Sequence, residues 1–206
     1  MSPRGPKLIL ASGSPQRKRL LADARYTFRI VAPRPQAECG VCSRETPGEL
    51  VARLARQKAA DVADQLRSAG NAASGQIIVA CDTVAECRGR ILGKPANRDH
   101  ARGMLKQLSG QLHRVYSGLC LWPLSTNRPR TEVARTTLRM DRLDEAQIEE
   151  YLDSGEWQEK AGAFGYQDRP GWLHIVEGSE SNVVGLPLEL VEKMLADCQS
   201  AVGGGP

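Results

Sequence analysis

The chain places hydroxyl and basic side chains at turns that follow short apolar runs. The first such turn, residues 12–15, reads Ser-Gly-Ser-Pro and follows the apolar run 8–11. Pro15 suits the first turn of a helix and Ser14 suits its N-cap, so backbone N–H groups should gather at a positive helix end. Arg17 falls on the inward face of that helix, where arginine rarely lies without an anionic partner. The turn predicts an anion site, although a plain strand–turn–helix corner explains the same residues.

Lys58 lies on the apolar stripe of an amphipathic helix that is predicted over residues 47–68. Thr46 and Glu49 form a capping box, which predicts where this helix begins. A lysine on a buried face is costly without an anion, and a bound phosphate would supply one. A lysine whose ammonium group reaches the rim of the core explains the position equally well.

Asp82 follows the apolar run 77–80, which is predicted to be a strand ending at residues 81–83. Ligands of open α/β sheets bind beyond the carboxyl ends of strands. A carboxylate there suits a divalent cation or accepts a proton from water, and an aspartate of an ordinary turn is the alternative. Lys94 in Gly-Lys-Pro and Lys160 in a glycine-rich segment add two cations beside turns. This set of side chains suits a polyphosphate with its Mg²⁺.

Other site chemistries lack the residues that they need. Ser12 and Ser14 have no recognisable base partner for acyl transfer, and no Gly-x-x-x-x-Gly-Lys-Ser/Thr motif occurs. The three histidines show no metal-ligand spacing. Cys39 and Cys42 have C-x-x-C spacing, but two further zinc ligands and the helix start of a thioredoxin-like motif are missing. The six cysteines are therefore interpreted as free thiols of a reducing compartment.

Composition narrows the class of protein. The 206 residues include 28 basic and 24 acidic side chains, for a net charge of +4, and only 4% are aromatic. A mixed charge and so few aromatic rings argue against stable nucleic-acid binding. No apolar run is long enough to span a membrane, and the first residues lack the apolar core of a signal peptide. We therefore expect a cytoplasmic protein without a membrane partner.

Predicted strands and helices alternate along the chain, and two long neighbouring strands suggest a hairpin. This pattern predicts an α/β fold with a mixed sheet. We expect one domain over residues 7–200, which could be built as two lobes about a cleft. A flexible lead of residues 1–6 would precede it, and a flexible tail of residues 201–206 would follow it. The predicted strands are 7–10, 27–31, 76–80, 90–92, 112–122, 131–139 and 171–176, and helices begin near residues 15, 47, 97, 144 and 187.

Taken together, these segments resemble the Maf family of nucleoside triphosphate pyrophosphatases. The resemblance implies an elongated mixed β-sheet flanked by helices, with a central nucleotide-binding cleft. It also implies metal-dependent hydrolysis between the α- and β-phosphates, which gives a nucleoside monophosphate and pyrophosphate, and a homodimer. The matching segments follow the family's order and span nearly the whole chain: 8–15, Arg17 with 20–21, 53–55 with 58–59, 82–84, 93–95, 108–110, 160–165 with Gln167, and 182–188.

The resemblance also implies roles for individual residues. Asp82 matches the family's catalytic aspartate, which accepts the proton of a metal-bound water, and it also serves as a metal ligand. Glu38 matches an acidic ligand of the divalent cation, Mg²⁺ or Mn²⁺. Arg17, Lys58 and Lys94 would neutralise charge that develops on the transferred and leaving groups. Substrate would be bound by Ser12, Ser14, Gln16, Thr83, Lys160 and Gln167.

Three positions bear on the preferred base. The branch that prefers dTTP and UTP carries arginine after Ser-Pro, threonine after the catalytic aspartate and glutamine after the Lys-Ala-Gly segment. The corresponding residues are Gln16, Thr83 and Gln167. Two of the three agree, which favours dTTP, UTP or modified pyrimidine nucleotides. Gln16 leaves open a broad specificity or 7-methyl-GTP, and a nucleotide-binding regulator of cell division with incidental hydrolysis is the alternative from another class.

Overall fold

The computed structural model describes residues 7–38, 45–73, 75–168 and 171–203, without the side chains of residues 38 and 199–203. The predicted α/β class is confirmed, because helices flank a seven-stranded mixed sheet. The strands are β1 (Lys7–Leu10), β2 (Phe28–Ile30), β3 (Gln76–Cys87), β4 (Arg90–Leu92), β5 (Leu112–Pro123), β6 (Arg130–Met140) and β7 (Leu173–Glu177). The helices are α1 (Pro15–Asp23), α2 (Pro47–Ser68), α3 (Arg98–Leu108), α4 (Glu145–Ser154), α5 (Glu180–Val184) and α6 (Leu188–Gly203).

Strand pairing explains why the sheet is mixed. The hydrogen-bonded order is β2-β1-β3-β5-β6-β7, with β4 paired to β3. The strand β1 runs parallel to both of its neighbours, and Leu10 pairs with Val79 of β3. The strands β4 and β7 run antiparallel to β3 and β6. Because β1 and β3 are parallel and in this register, the turn after β1 and residue Asp82 lie towards the same end of the two strands.

Local capping residues set the helix starts, as predicted. Ser14 caps α1 and accepts a hydrogen bond from the Arg17 N–H, and Pro15 occupies the first turn. Thr46 caps α2 through the predicted capping box with Glu49. Asn97 and Asp144 cap the next two long helices, α3 and α4. Within the described residues, no helix is both long and apolar enough to cross a membrane.

The prediction that a strand ends just before Asp82 is wrong. The strand β3 continues to Cys87, so Asp82 lies inside a strand of twelve residues. The extension exists because residues 85–87 pair with β4, and the tight turn between the two strands has positive φ at Arg88 and Gly89. The short helix α5 was not predicted from the sequence, and β7 begins two residues later than predicted.

The chain divides into two compact units. The first contains Met1–Asp82, Ser117–Ala134 and Gly185–Pro206, and the second contains Thr83–Tyr116 and Arg135–Val184. In the first unit, alternating side chains of β1 and β3 point to opposite faces of the sheet. Leu8 and Leu10 pack with side chains from α1 and α6, whereas Ile9 packs with side chains from α2. The second unit has its own core, formed by α3, α4 and the strands beside them.

Candidate functional site

Lys58 and Asp82 form a largely buried ion pair in the first unit. Lys58 Nζ lies 2.6 Å from Asp82 Oδ1, and the two side chains are 7% and 14% exposed. Lys58 belongs to the apolar face of α2, and Asp82 is carried by β3. Since a buried charge is costly without a partner, the carboxylate accounts for a lysine on this face. The interpretation that the ammonium group of Lys58 reaches the rim of the core is therefore wrong.

The turn after β1 is held by its own hydroxyl and guanidinium groups. The Ser12 hydroxyl is buried and accepts hydrogen bonds from the Ser14 N–H and from the Arg17 guanidinium, both at 3.2 Å. Arg17 also donates through Nε to the Gly185 carbonyl at 2.8 Å. The predicted inward orientation of Arg17 is confirmed, and its described partners are a hydroxyl and a carbonyl oxygen. The arrangement keeps a cation and a helix N-terminus beside the hydroxyls.

Gly185 holds Arg17 in place, and it was not identified as an individual residue from the sequence. Its carbonyl accepts from Arg17 and also from the Cys81 thiol, at 3.3 Å between Sγ and oxygen. Its φ of +118° lies in the region that favours glycine, so an L side chain here would strain the backbone that aims this carbonyl. Because 168 residues separate it from Arg17, no local pattern could have joined the two.

Gln16 stands exposed at the start of α1, with its side-chain oxygen engaged. Ser14 Oγ accepts from the Arg17 N–H and donates to Gln16 Oε1 at 3.0 Å. With its oxygen engaged in this way, the amide offers N–H donors to a ligand, as an arginine would. The exchange of arginine for glutamine therefore removes the fixed charge while keeping hydrogen-bond donors.

Lys94 forms an exposed ion pair in the second unit. Its Nζ lies 2.6 Å from Glu159 Oε2, and the two side chains are 60% and 82% exposed. The segment around Lys94 is also tied to the glycine-rich segment, because the Gly162 N–H donates to the Gly93 carbonyl at 3.0 Å. Exposed pairs contribute little free energy, so the ammonium group can exchange Glu159 for another anion at small cost.

Lys160 is held by a carboxylate of its own segment. Its ammonium group donates to Asp168, which also accepts from the Tyr151 hydroxyl at 2.6 Å and from the Gly165 N–H at 3.0 Å. Burial, followed by the nearby Asp168 carboxylate, raises the pKa of Tyr151, so its hydroxyl keeps the proton that it donates. Gln167 is exposed beside Asp168. Neither Asp168 nor Glu159 was identified from the sequence.

The predicted metal ligands are only partly described. Glu38 ends the 3₁₀ turn Pro35–Glu38, and its side chain is outside the described residues, as are Cys39 and Cys42. Among the described side chains, no group of three His, Cys, Asp or Glu could hold a metal ion. Mg²⁺ is commonly bound by one or two carboxylates together with substrate phosphates. The carboxylate oxygens of Asp82 fit that kind of ion.

The structure groups the predicted site residues within each unit. In the first unit, Ser12, Ser14, Gln16 and Arg17 share one turn, which lies towards the same end of the parallel strands as Asp82. In the second unit, hydrogen bonds and ion pairs connect the segment that carries Lys94 with the segment that carries Lys160 and Gln167. Thr83 is half-buried in β3. The roles of these residues in binding and catalysis remain predictions.

An open groove of about 290 Å³ lies in the first unit, between the 3₁₀ turn and α2. Two carboxylates and two amides line it, and no lining residue is basic, so it does not suit a polyphosphate. The lining residues are Gln36, Ala37, Gln57, Ala60, Asp61 and Asp64.

Comparison with known proteins places the chain in a family. A family model described as Maf-like protein matches residues 7–198. The chain is 50% identical over 195 residues to the dTTP/UTP pyrophosphatase of Rhodopirellula baltica, covering 94% of this chain and 83% of that protein. It is 40% identical over 192 residues to the dTTP/UTP pyrophosphatase of Vibrio vulnificus, covering 92% and 97%. The dTTP/UTP pyrophosphatase of Pelotomaculum thermopropionicum is 38% identical over 194 residues, covering 92% and 95%. The chain therefore belongs to the Maf-like family.

Proposed function

We propose that this protein is a nucleoside triphosphate pyrophosphatase that hydrolyses dTTP and UTP to the nucleoside monophosphate and pyrophosphate. Relatives that align with more than nine-tenths of the chain carry the name dTTP/UTP pyrophosphatase. The observation that carries the proposal is the buried pair of Lys58 and Asp82, with a hydroxyl-rich turn and Arg17 towards the same end of the strands. A base and several cations are what hydrolysis of a phosphoanhydride requires.

In the proposed mechanism, Asp82 orients the attacking water and accepts its proton as oxygen adds to phosphorus. The α–β phosphoanhydride bond breaks, and pyrophosphate leaves with the electron pair of the bridging oxygen. Lys58 fixes Asp82 Oδ1 at 2.6 Å and provides positive charge where negative charge develops. Arg17 adds charge at the turn after β1. A divalent cation, held by Asp82 and Glu38, would supply Lewis-acid stabilisation of phosphate charge.

The preference for dTTP and UTP is supported at two positions of the second unit. Thr83 and Gln167 are the residue types of the dTTP/UTP branch, and Gln16 offers hydrogen-bond donors where that branch has arginine. The test is a panel of dTTP, UTP, CTP, GTP, ATP, 7-methyl-GTP and 5-methyl-UTP, with phosphate and pyrophosphate both measured. Pyrophosphate from pyrimidine triphosphates alone supports the preference, and release from many bases would make Gln16 a mark of broad specificity.

Asp82→Asn tests the proposed base. The amide keeps the size of the side chain and cannot accept the proton, so kcat should fall by a factor of about 10²–10⁴. Calorimetric titration with dTTP should still show binding, since the cations and the turn after β1 are unchanged. Normal hydrolysis by this variant would show that another group is the base. Binding without hydrolysis by the unsubstituted protein would instead favour the regulator.

Cofactor, assembly and location complete the proposal. The enzyme uses Mg²⁺ or Mn²⁺ and forms a homodimer, as the family resemblance implies, and we expect it to act in the cytoplasm. Removal of metal by a chelator should abolish hydrolysis, and addition of either ion should restore it. Light scattering after size exclusion measures the mass against the 22.4 kDa of one chain.

A further inference from the structure

Asp168 is the centre of a hydrogen-bond cluster in the second unit. Its side chain is 14% exposed, and its carboxylate accepts from an ammonium group, a phenol and a backbone N–H. The phenol belongs to Tyr151, which is fully buried and whose ring packs against Phe164 at 4.9 Å between centroids. The three atoms nearest to a Cβ on Gly165 would all belong to the Asp168 side chain, so glycine at this position lets the carboxylate lie close to the backbone. The Asp168 carboxylate is therefore held by three donors and packed closely against the backbone of Gly165.

The segment around Lys160 contains two residues with unfavourable backbone conformations. Glu159 and Ala163 adopt positive φ values of 62° and 60°, which are unfavourable for residues with a Cβ. Such conformations persist where the surrounding structure enforces them, and they are frequent at functional sites. Asp168 contributes to that constraint next to these two residues, because its side chain bonds to Lys160 and Gly165 and its N–H donates to the Gly165 carbonyl at 3.1 Å.

This arrangement holds the side chain of Lys160 and the backbone next to Gln167, two residues of the proposed substrate set. The Lys160 side chain is 22% exposed, so the ammonium group is held at the edge of the cluster rather than sealed inside it. Gln167 is exposed and directly precedes the largely buried Asp168. By contrast, Lys94 is paired only with the exposed carboxylate of Glu159 in the described contacts. Of these carboxylates, only Asp168 is buried enough to hold its lysine in one place.

We propose that Asp168 is a positioning residue, which acts through Lys160 and Gln167 to set the selectivity between nucleotide bases. The proposal rests on the proposed pyrophosphatase function. Asp168 itself does not touch the substrate. Its carboxylate fixes the ammonium group of Lys160 and the backbone that carries Gln167, so that both meet a pyrimidine nucleotide without further ordering.

The test compares Asp168→Asn with a matched change. The asparagine keeps an oxygen acceptor for the Tyr151 hydroxyl and the Gly165 N–H but loses the charge that holds Lys160. The matched change is Glu86→Gln, because Glu86 is also a largely buried carboxylate of the second unit, bonded to the Gly89 N–H and to Arg114. For each protein, kcat and KM are measured with dTTP, UTP, CTP and GTP, together with the melting temperature.

A positioning role predicts a specific loss. Asp168→Asn should raise KM for dTTP and UTP more than it lowers kcat, and the ratio of kcat/KM for dTTP over GTP should fall about tenfold. Glu86→Gln should leave that ratio unchanged. In a Lys160→Met background, Asp168→Asn should change the ratio less, since one of the two groups through which it acts is already gone. Tyr151→Phe keeps the Asp168 charge but removes the hydroxyl that donates to Asp168 and accepts from the Gly165 N–H, and it should give a smaller change in the same direction.

Two results would overturn the proposal, and they are distinguishable. An equal loss of kcat/KM for all four nucleotides, with a lower melting temperature, would make Asp168 a structural residue of an active pyrophosphatase. Absence of pyrophosphate release from the unsubstituted protein would remove the proposed function itself.

Discussion

At the scale of single residues, the pair of Lys58 and Asp82 serves both stability and the proposed chemistry. Each charge makes the burial of the other tolerable, and each has a part in the proposed hydrolysis. Loss of either residue should therefore change two measurable properties, and a double variant can separate them.

Lys58→Met is expected to reduce stability as well as turnover. Methionine fills similar space, but it leaves the Asp82 carboxylate without the ammonium group, and breaking a buried pair costs about 3–5 kcal/mol. The combined Lys58→Met and Asp82→Asn variant should recover most of that loss and remain inactive. Urea unfolding of both proteins checks the free energies. If the double variant is less stable than Lys58→Met, the lost ion pair is not the cause.

Single residues also show where sequence reasoning ends. Lys58 could be identified because a lysine interrupts an apolar stripe, which is a local pattern. Its partner Asp82 is 24 residues away, and the residue that binds Lys94 is 65 residues away. Such pairings depend on strand order and loop geometry, which hydrophobic periodicity does not contain. The anchor of Lys160 is only eight residues away, yet a carboxylate in a polar segment gives no signal by itself.

At the scale of elements, helix starts could be predicted and strand ends could not. The caps Ser14, Thr46, Asn97 and Asp144 act through hydrogen bonds within three residues, so their signal is complete in the sequence. The end of β3 depends instead on its pairing with β4. The two long strands β5 and β6 were predicted because a loop of serine, asparagine and proline residues separates two strand-like segments.

The contact between α2 and β5 gives a prediction at this scale. A Cβ on Gly118 would lie 2.2 Å from the Val51 carbonyl oxygen, so helix and strand backbones touch here. Gly118→Ala should destabilise the protein by about 1–3 kcal/mol or more, since backbone must move. It should also lower turnover, because Lys58 lies two helical turns beyond Val51.

Gly103→Ala is the control for that substitution. Gly103 lies in α3, is exposed, and has no atom within 4 Å of the position that a Cβ would take. Alanine should stabilise the helix there by about 0.5–1 kcal/mol. Thermal melts and dTTP turnover, measured for Gly118→Ala and Gly103→Ala, test both predictions. Equal stability of Gly118→Ala and the unsubstituted protein would mean that α2 is free to shift.

At the scale of the whole molecule, acid should destabilise the protein in part through a carboxylate that the fold holds ionised. Hydrogen bonds from Arg102, followed by Arg98, lower the pKa of Glu149 to about 2. The unfolded chain therefore takes up this proton first as the pH falls. The stabilisation is complete above the ordinary glutamate pKa of about 4.3 and is lost as the pH approaches the folded value.

Glu149→Gln should remove that part of the pH dependence. The variant should melt at a lower temperature than the unsubstituted protein near pH 7, and the difference should vanish towards pH 2. Because this carboxylate is exposed on the surface between α3 and α4, high salt should reduce the difference at neutral pH. Melts at several pH values and two salt concentrations check it. A difference that does not change with pH would assign the effect to packing.

The overall class could be predicted, but the division into units could not. Alternating strands and helices with one hairpin predicted a mixed α/β sheet. The first unit, however, combines three separate stretches of sequence, and the second combines two. Three of the four boundaries fall inside the long strands β3, β5 and β6, where no linker marks the change, and the fourth follows the end of α5 at Val184.

The position of Asp82 within a long strand bears on how this enzyme could be redesigned. A carboxylate on a hydrogen-bonded ladder keeps its place when neighbouring loops are altered, whereas Gln16 and Gln167 stand at the surface beside turns. Libraries intended to change the accepted base should therefore vary Gln16 and Gln167 first and leave Asp82 in place. New substrates could then be sought without rebuilding the hydrolytic machinery.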